Sequence, residues 1–405
     1  MLARMDNRVQ GLSVRKPILA LFGLLTWLLL GIQLVHGQIV ASTLPITDDL
    51  DSESLRLAID RSISYLRKLP ADRIVGEQPR QVSAGQVLTS LAALHRLLDR
   101  WSCWQCFVEE FQSRFEVVPS SPDEQQREVL FTGYYQPVIE GNLVETSEYR
   151  YPIYGKPTDL VILDGVVEGS GHTAKEMSGR VERFVPYYTR REIDHAGLLR
   201  GRGLEIAWVK DPIELFFLHI QGSGVLRLPD GRQVHIGYAG QNGRPYRSIG
   251  RLLINQGKIS QTEMSMQRLR RHLAENPEQR DEIMAHNESY VFFRITDTGP
   301  FGSLEVPVTP GRSIATDSRL FPKGAAALIY SEGPVLNGAG RLIGWRPFVR
   351  FVLNQDTGGA IRGFQRADLY MGSGDDAGAH AGYMNSPGKI YFLMLKTQAR
   401  GALSR

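Results

Sequence analysis

From Val129 to the C-terminus, the chain passes repeatedly through short runs of β-branched and aromatic residues that end at glycine, proline or aspartate. Such runs are typical of strands, and the 41 glycines and 21 prolines of the chain supply turns between them. With 405 residues, 42% of them hydrophobic, the chain has enough apolar material for one large core or two ordinary ones. The sequence therefore predicts a mainly β protein and excludes disordered, collagen-like and coiled-coil architectures.

The predicted elements divide the chain into an N-terminal helical segment and a longer β-rich part. Apolar residues at three- and four-residue intervals predict helices over 55–66 and 87–115. Further helices are predicted over 247–254 and 264–275, with a short one near Asp368. The predicted strands lie at 129–137, 160–163, 204–209, 213–220, 290–295, 325–330, 348–354 and 389–395.

The first 38 residues have the pattern of an export signal. Four basic residues precede an uncharged stretch of 19 residues, from Pro17 to Val35. Because about 20 apolar residues can cross a bilayer, the segment is either a cleaved signal peptide or a signal anchor that holds the protein at the membrane. We expect the rest of the chain to work in the periplasm or cell envelope. No cysteine follows the segment to carry a lipid.

Charge and cysteine content exclude several kinds of partner. The net charge is +4 and no dense basic run is present, so nucleic acid is not a predicted partner. Cys103 and Cys106 lack the further ligands of a zinc site, and the helical run before them does not fit a thioredoxin-like frame. They are expected to form a local disulfide or to remain partly buried thiols. Neither a metal nor a cofactor is expected.

Three aspartates in glycine-rich surroundings, Asp317, Asp356 and Asp368, are the candidates for catalysis. Their spacing alone is more typical of turns and helix caps. Asp356-Thr-Gly358 has the lettering of an aspartic-protease half-site, but the chain has no second triplet to share a proton with it. The glycines of 372–378 lack the spacing of a phosphate loop.

Six longer motifs are more specific than any one aspartate loop. They are Phe131-Thr-Gly-Tyr-Tyr-Gln-Pro137, Phe217-Leu-His-Ile-Gln-Gly-Ser-Gly224, Gly237-Tyr-Ala-Gly-Gln-Asn-Gly-Arg-Pro-Tyr246, Asn287-Glu-Ser-Tyr-Val-Phe-Phe293, Asp356-Thr-Gly-Gly-Ala-Ile-Arg-Gly363 and Ala367-Asp-Leu-Tyr-Met-Gly372. Together, and in this order, they resemble the membrane-bound lytic murein transglycosylase A family. The resemblance extends from about residue 55 to the C-terminus, and the last third resembles the domain named for three aspartates.

The resemblance implies a double-psi β-barrel with an inserted second β-barrel-like domain and N-terminal helices. The barrel would be built from residues 39–137 and 300–405 and the insert from 138–299, after a signal segment at 1–38. A groove between them would bind a glycan strand of peptidoglycan. Proteins of cell-wall synthesis or division are further candidate partners, and the N-terminal segment is a candidate membrane anchor.

The resemblance also implies the reaction, cleavage of the β-1,4 bond between N-acetylmuramic acid and N-acetylglucosamine. Asp368 would protonate the glycosidic oxygen and then accept the proton of the C6 hydroxyl as that oxygen attacks C1, which leaves a 1,6-anhydromuramyl end. Burial, or a second carboxylate such as Asp356, would keep the acid protonated at the start. Asp317 and Asp356 are expected to support the site.

Two segments are candidates for sugar binding, although core packing and a tight turn explain the same residues equally well. Two other functions remain open from the sequence. One is a cell-wall polysaccharide-binding protein without turnover. The other is an ordinary glycan hydrolase, which needs a second carboxylate to activate water. The candidate sugar-binding residues are Thr132, Tyr134, Tyr135, Gln136, Gln221 and Ser223.

Overall fold

The computed structural model of the protein describes residues 45–162, 172–178, 181–359 and 361–396. The predicted export signal lies outside these ranges. Within them, no helix is both long enough and apolar enough to span a bilayer.

Strands predominate among these residues, which confirms the mainly β class. The helices are α1 (Ser52–Leu66), α2 (Ala84–Leu97), α3 (Trp104–Arg114), α4 (Arg190–Asp194), α5 (Pro212–Gln221), α6 (Ile249–Asn255), α7 (Met266–Glu275), α8 (Pro277–Ala285) and α9 (Gly374–Tyr383), with 3-10 turns at Leu98–Arg100 and Glu124–Gln126. The strands are β1 (Ile74–Gly76), β2 (Val82–Ser83), β3 (Phe115–Pro119), β4 (Val129–Gln136), β5 (Val138–Asn142), β6 (Tyr151–Tyr154), β7 (Leu160–Ile162), β8 (His172–Ser178), β9 (Val181–Pro186), β10 (Glu205–Val209), β11 (Gly224–Arg227), β12 (Gln233–Gln241), β13 (Val291–Thr296), β14 (Ser313–Ala315), β15 (Ala326–Leu336), β16 (Leu342–Asp356), β17 (Arg366–Ser373) and β18 (Asn385–Leu395).

Six strands close into a barrel that joins distant parts of the chain. Their order is β15-β16-β14-β17-β4-β18, and the pairing of β18 with β15 completes the circle. Strand β4 runs parallel to β17 and antiparallel to β18. Because β4 precedes its barrel neighbours by more than 170 residues, the barrel forms only when residues 129–136 pair with strands from the last part of the described chain.

A second sheet contains six strands in the order β13-β12-β11-β5-β10-β6, all from residues 138 to 296. An isolated bridge between Gly155 and Phe293 connects its two edges, so the sheet curls toward a barrel. Helix α5 packs on this sheet and against α6, α7 and α8. Strands β7, β8 and β9 form a separate antiparallel sheet.

The N-terminal helices cover the closed barrel and share its core. Phe107 and Phe111 of α3 are fully buried and contact the ring of Phe351 on β16 edge-on. Before α1, Asp48 pairs with Arg312 at 2.6 Å, and both side chains are fully buried. The ring contacts of α3 and the buried ion pair together fix the start of the described chain to the barrel.

Three predicted elements differ from the structure. Residues 213–220, predicted as a strand, form helix α5, because Asp211 caps its first turn and Gly222 ends it with a left-handed φ of 77°. Asp368, predicted to lie near a short helix, is on strand β17, and helix α9 follows six residues later. The predicted helix over 87–115 is interrupted between α2 and α3 by a 3-10 turn, and Cys103, just before α3, forms a disulfide with Cys106 in the first turn of α3.

Candidate active site

The carboxyl group of Asp368 lies where β17 runs beside β4. Strand pairing puts Asp368 opposite Thr132, whose hydroxyl donates a 2.5 Å hydrogen bond to Oδ1. The Nε–H of Arg366, two residues earlier on β17, donates to the same oxygen at 3.2 Å. The side chain of Asp368 is 17% exposed. One carboxyl oxygen is therefore held by two donors, whereas Oδ2 has no hydrogen-bond partner among the residues described.

Asp356, at the end of β16, is held through both of its carboxyl oxygens. Its Oδ1 accepts the N–H groups of Ser303 and Thr357, each at 2.8 Å, and its Oδ2 accepts the Tyr134 hydroxyl at 3.0 Å. Burial raises the pKa of Asp356 to about 6, and the negative charge of Asp368 adds to this rise, while the three donors oppose it. Burial is thus the main cause of this raised pKa, and the charge of Asp368 is a smaller one.

Asp317 lies just after β14, and its hydrogen-bond partners differ from those of Asp356 and Asp368. Its Oδ2 accepts the Arg319 guanidinium at 2.8 Å and the Gly363 N–H at 2.9 Å. Burial alone would raise the pKa of Asp317, but the Arg319 guanidinium and the backbone N–H groups outweigh burial and hold that pKa at about 2. Asp317 thus remains ionised and fastens the loop before β17 to the end of β14.

The candidate sugar-binding residues of β4 lie on two faces of the strand, because successive side chains alternate. Thr132 and Tyr134 face the aspartates and bond to them. Tyr135 faces α9 and packs on its alanines. Gln136 is only 2% exposed, and its Oε1 accepts the Ser373 hydroxyl at 2.9 Å. The structure therefore gives the first two residues a place beside the carboxyl groups and the other two a place in the packing.

The second candidate segment, at Gln221 and Ser223, touches β4 directly. Helix α5 ends between them at Gly222, where the left-handed backbone favours glycine. The Gln221 Oε1 accepts the Tyr135 N–H at 3.0 Å, and Ser223 next to it is half-buried. This loop from the second sheet therefore adjoins the strand that supplies Thr132.

Several groups that contact the aspartates were not predicted from the sequence, among them Arg366 and the backbone N–H of Ser303. Arg366 and Asp368 are two residues apart on one strand, and this spacing puts both side chains on one face. That signal was present in the sequence. Ser303 donates its backbone N–H to Asp356 from 53 residues earlier, and no side-chain pattern signals such a contact.

The chemistry available at this site is proton transfer. Asp368 offers one unbound carboxyl oxygen, whereas both oxygens of Asp356 beside it already accept hydrogen bonds. Among the described residues, no group of three or more histidine, cysteine, aspartate or glutamate side chains is arranged to hold a metal ion. The arrangement therefore suits one carboxyl group that donates and accepts a proton, with a second carboxyl group that tunes it.

Comparison with known proteins gives matches to two families and to characterised relatives. Residues 130–294 match the family described as the MltA specific insert domain, and residues 312–394 match the 3D domain. Membrane-bound lytic murein transglycosylase A of Vibrio cholerae is 34% identical over 286 residues, which are 69% of this chain and 70% of that protein.

Two solved structures share the fold along most of the chain. A crystal structure of a membrane-bound lytic murein transglycosylase from Agrobacterium tumefaciens has a TM-score of 0.71 and 31% identity, and the match covers 85% of this chain and 93% of that one. The structure of Escherichia coli MltA with bound chitohexaose has a TM-score of 0.64 and 25% identity, with 88% and 93% covered.

Proposed function

Because this chain belongs to the membrane-bound lytic murein transglycosylase A family, we propose that it cleaves the β-1,4 bond between N-acetylmuramic acid and N-acetylglucosamine, with Asp368 as its single catalytic residue. Family membership makes the chain a peptidoglycan lytic transglycosylase. Its substrate is then the glycan strand, and the solved relative with bound chitohexaose supports a groove for a chain of β-1,4-linked sugars.

The observation on which the choice of Asp368 rests is the difference between its two carboxyl oxygens. Thr132 and Arg366 both donate to Oδ1. A proton on the carboxyl group is therefore favoured on Oδ2, since Oδ1 already accepts two hydrogen bonds. Oδ2 is thus the atom that would protonate a glycosidic oxygen.

The environment of Asp356 argues against a two-carboxylate hydrolase. A hydrolase needs a second carboxylate with a free oxygen to activate water or to attack the sugar. Both oxygens of Asp356 are already bound by Ser303, Thr357 and Tyr134. A lytic enzyme has no such requirement, because the C6 hydroxyl of the muramic acid is its nucleophile.

The reaction then proceeds through one carboxyl group in two roles. Asp368 gives the Oδ2 proton to the oxygen that links the two sugars, and the C1–O4 bond breaks as the N-acetylglucosamine leaves. The resulting carboxylate accepts the proton of the C6 hydroxyl while O6 bonds to C1, which regenerates the acid. The nucleophile belongs to the same sugar ring, so its attack is intramolecular and is favoured by proximity. The product is a 1,6-anhydromuramyl end.

We also propose that residues 39–137 and 300–405 form the catalytic domain and that residues 138–299 form an insert which makes the other wall of the groove. Strand pairing supports this division, because β4 joins the C-terminal strands whereas the strands between 138 and 296 pair with each other. The relatives are named membrane-bound, which supports a place in the cell envelope with residues 1–38 as the signal or anchor.

Product analysis tests the function as a whole. Purified sacculi digested by the full chain should release fragments with 1,6-anhydromuramyl ends, which lack one water relative to reducing ends and are resolved by mass spectrometry. Reducing ends would instead indicate a hydrolase. Binding to sacculi without any released fragments would indicate a polysaccharide-binding protein.

We expect Thr132→Val to slow this reaction between about 10- and 150-fold, since a hydrogen bond to a charged group is worth about 1.5–3 kcal/mol. The valine fills the same volume but no longer donates to Oδ1 of Asp368. Initial rates on soluble glycan fragments measure the loss, and Thr132→Ser, which keeps the hydroxyl, is the matched control. A wild-type rate for the valine variant would contradict the positioning role.

We expect the profile of kcat/KM against pH to show an inflection near pH 6. Burial raises the pKa of Asp356 to about 6, so its carboxyl group ionises as the pH rises through that value. The charge that appears on Asp356 acts on the reaction at Asp368 beside it, so the rate changes across this pH. Asp356→Asn should remove the inflection near pH 6, whereas Asp376→Asn, an exposed change on α9, should leave it. An unchanged inflection in Asp356→Asn would rule out this assignment.

A further inference from the structure

The hairpin formed by β15 and β16 extends beyond the barrel as a two-stranded arm. The two strands pair over the whole length of β15, but β18 pairs only with residues 327–330 of β15. Residues 332–336 and 342–347 therefore have no third strand beside them, and α9 lies next to the hairpin, where a Cβ at Gly340 would be 4.0 Å from Ala379. The turn between them is well defined, because the Asn337 side chain accepts the N–H groups of Ala339 and Arg341.

The end of this arm exposes an apolar surface. Ile343 is 65% exposed, Trp345 40% and Leu342 36%, all within four residues. A cluster of large apolar side chains at the tip of a hairpin contributes nothing to the core, so it is a candidate contact surface. Arg341 and Arg346 flank it, both are exposed, and neither forms an ion pair within the described residues. Glu332 is the acidic residue of the arm.

Apolar and aromatic side chains bordered by arginines match the interface of a lipid bilayer. Tryptophan prefers the level of the headgroups, aliphatic side chains enter the acyl boundary, and arginine binds lipid phosphate. A glycan would stack on the flat face of Trp345, but it would not bind the exposed aliphatic side chains of Ile343 and Leu342. The composition of the tip therefore favours lipid over glycan.

The length of the chain before the described residues allows this contact. Asp49 forms an ion pair with Arg350 of β16, which fixes the start of the described chain beside that strand. Ile343 is seven residues from Arg350 along β16, or about 23 Å at 3.3 Å per residue. Thirteen residues, 36–48, separate the uncharged stretch from this point and span up to about 45 Å when extended. A bilayer that holds the uncharged stretch is thus within reach of the tip.

The same strand separates the tip from the catalytic site. Strand β16 begins at Leu342 in the arm and ends at Asp356, which bonds to Tyr134. Its 15 residues extend up to about 46 Å at 3.3 Å per residue. Contact of the tip with a membrane therefore leaves the site free for a glycan strand.

We propose that the tip of the β15–β16 arm, with Leu342, Ile343 and Trp345, rests in the interface of the bilayer that anchors the chain. The contact adds a second attachment to the N-terminal segment and restricts how the catalytic domain is oriented. It rests on the segment serving as an anchor and is independent of the chemistry at Asp368.

The test uses the full chain with Ile343→Cys, whose thiol carries an environment-sensitive nitrobenzoxadiazole dye. The labelled chain is bound to vesicles of phosphatidylethanolamine and phosphatidylglycerol in a 3:1 ratio. The two native cysteines form a disulfide, so the new thiol is the one that reacts. Val144→Cys is the matched control, since Val144 is also 65% exposed but lies between β5 and β6 of the other sheet.

If the tip enters the interface to a depth of about 5–10 Å, lipid-attached nitroxide should reduce the emission of the dye at 343 about twofold and leave the dye at 144 unchanged. Trp345→Ser added to Ile343→Cys should weaken the quenching. Equal emission with and without nitroxide, equal quenching at both positions, or a chain that does not float with the vesicles would overturn the proposal. A blue shift with lipid-free sacculi alone would assign the arm to glycan, and a concentration-dependent shift without vesicles would assign it to a second copy of the chain.

Discussion

Asp368→Asn is expected to fold as the native chain does and to release anhydromuropeptides between about 100- and 10 000-fold more slowly, the usual contribution of a general acid. The amide keeps the size of the side chain and still accepts the Thr132 hydroxyl through its oxygen. It has no proton to give to the glycosidic oxygen and cannot accept one from the C6 hydroxyl. Both halves of the reaction are therefore lost together.

The measurement is the rate of release from purified sacculi, with circular dichroism to verify the fold. Asp376→Asn makes the same change at an exposed carboxyl group of α9, whose side chain is 95% exposed, and should retain the wild-type rate. Wild-type release by Asp368→Asn would refute the assignment of the acid. Loss of activity in both variants would point to an effect of amide substitution on the fold.

The largest expected effect on stability comes from Asp48→Ala. Removal of this carboxylate leaves the fully buried Arg312 guanidinium without its ion-pair partner, which costs about 3–5 kcal/mol of the free energy of unfolding. Burial raises the pKa of Asp48 even though Arg312 and the Phe351 N–H oppose this, so the intact pair itself costs desolvation. The predicted loss comes from the unpaired charge that remains, and urea denaturation measures it.

Asp49→Ala is the comparison for this change. Asp49 pairs with Arg350 at the same distance of 2.6 Å, but its side chain is 32% exposed, so we expect a loss of about 1 kcal/mol or less. A loss for Asp48→Ala no greater than that for Asp49→Ala would show that the buried pair does not fasten the start of the chain.

The sequence predicts the fold class well. It fails to identify an element that is buried on all sides, because the apolar residues of such an element show neither a helical nor a strand period. Helix α5 is apolar on every side, since residues 215–219 are all buried, so its pattern resembles that of a buried strand. The signals that identify it are local, a capping Asp211 with Pro212 after it and Gly222 at the end. The position of Asp368 on a strand follows from its pairing with β4, a contact that no local pattern encodes.

The candidate site could likewise be predicted from the sequence only in part. Resemblance to a family selected the three aspartates, but their environments come from contacts between distant segments. Asp317 and Asp356 have similar glycine-rich neighbours in the sequence, yet the pKa of the first is lowered to about 2 and that of the second is raised to about 6. A guanidinium from two residues away explains the first value, and burial explains the second. Only the folded chain distinguishes the carboxyl group whose pKa is lowered from the one whose pKa is raised.

The closure of the barrel has a consequence for when the enzyme becomes active. Thr132 and Asp368 are 236 residues apart, and β18, the last strand described, must insert between β4 and β15 before the circle is complete. Pairing across such a separation is slow to form, because the long loop must close first. In a chain exported N-terminus first, as proposed above, the proposed acid Asp368 has no assembled site until β18 has crossed the membrane. For the proposed function, the fold would thus delay cleavage of the wall until β18 is translocated.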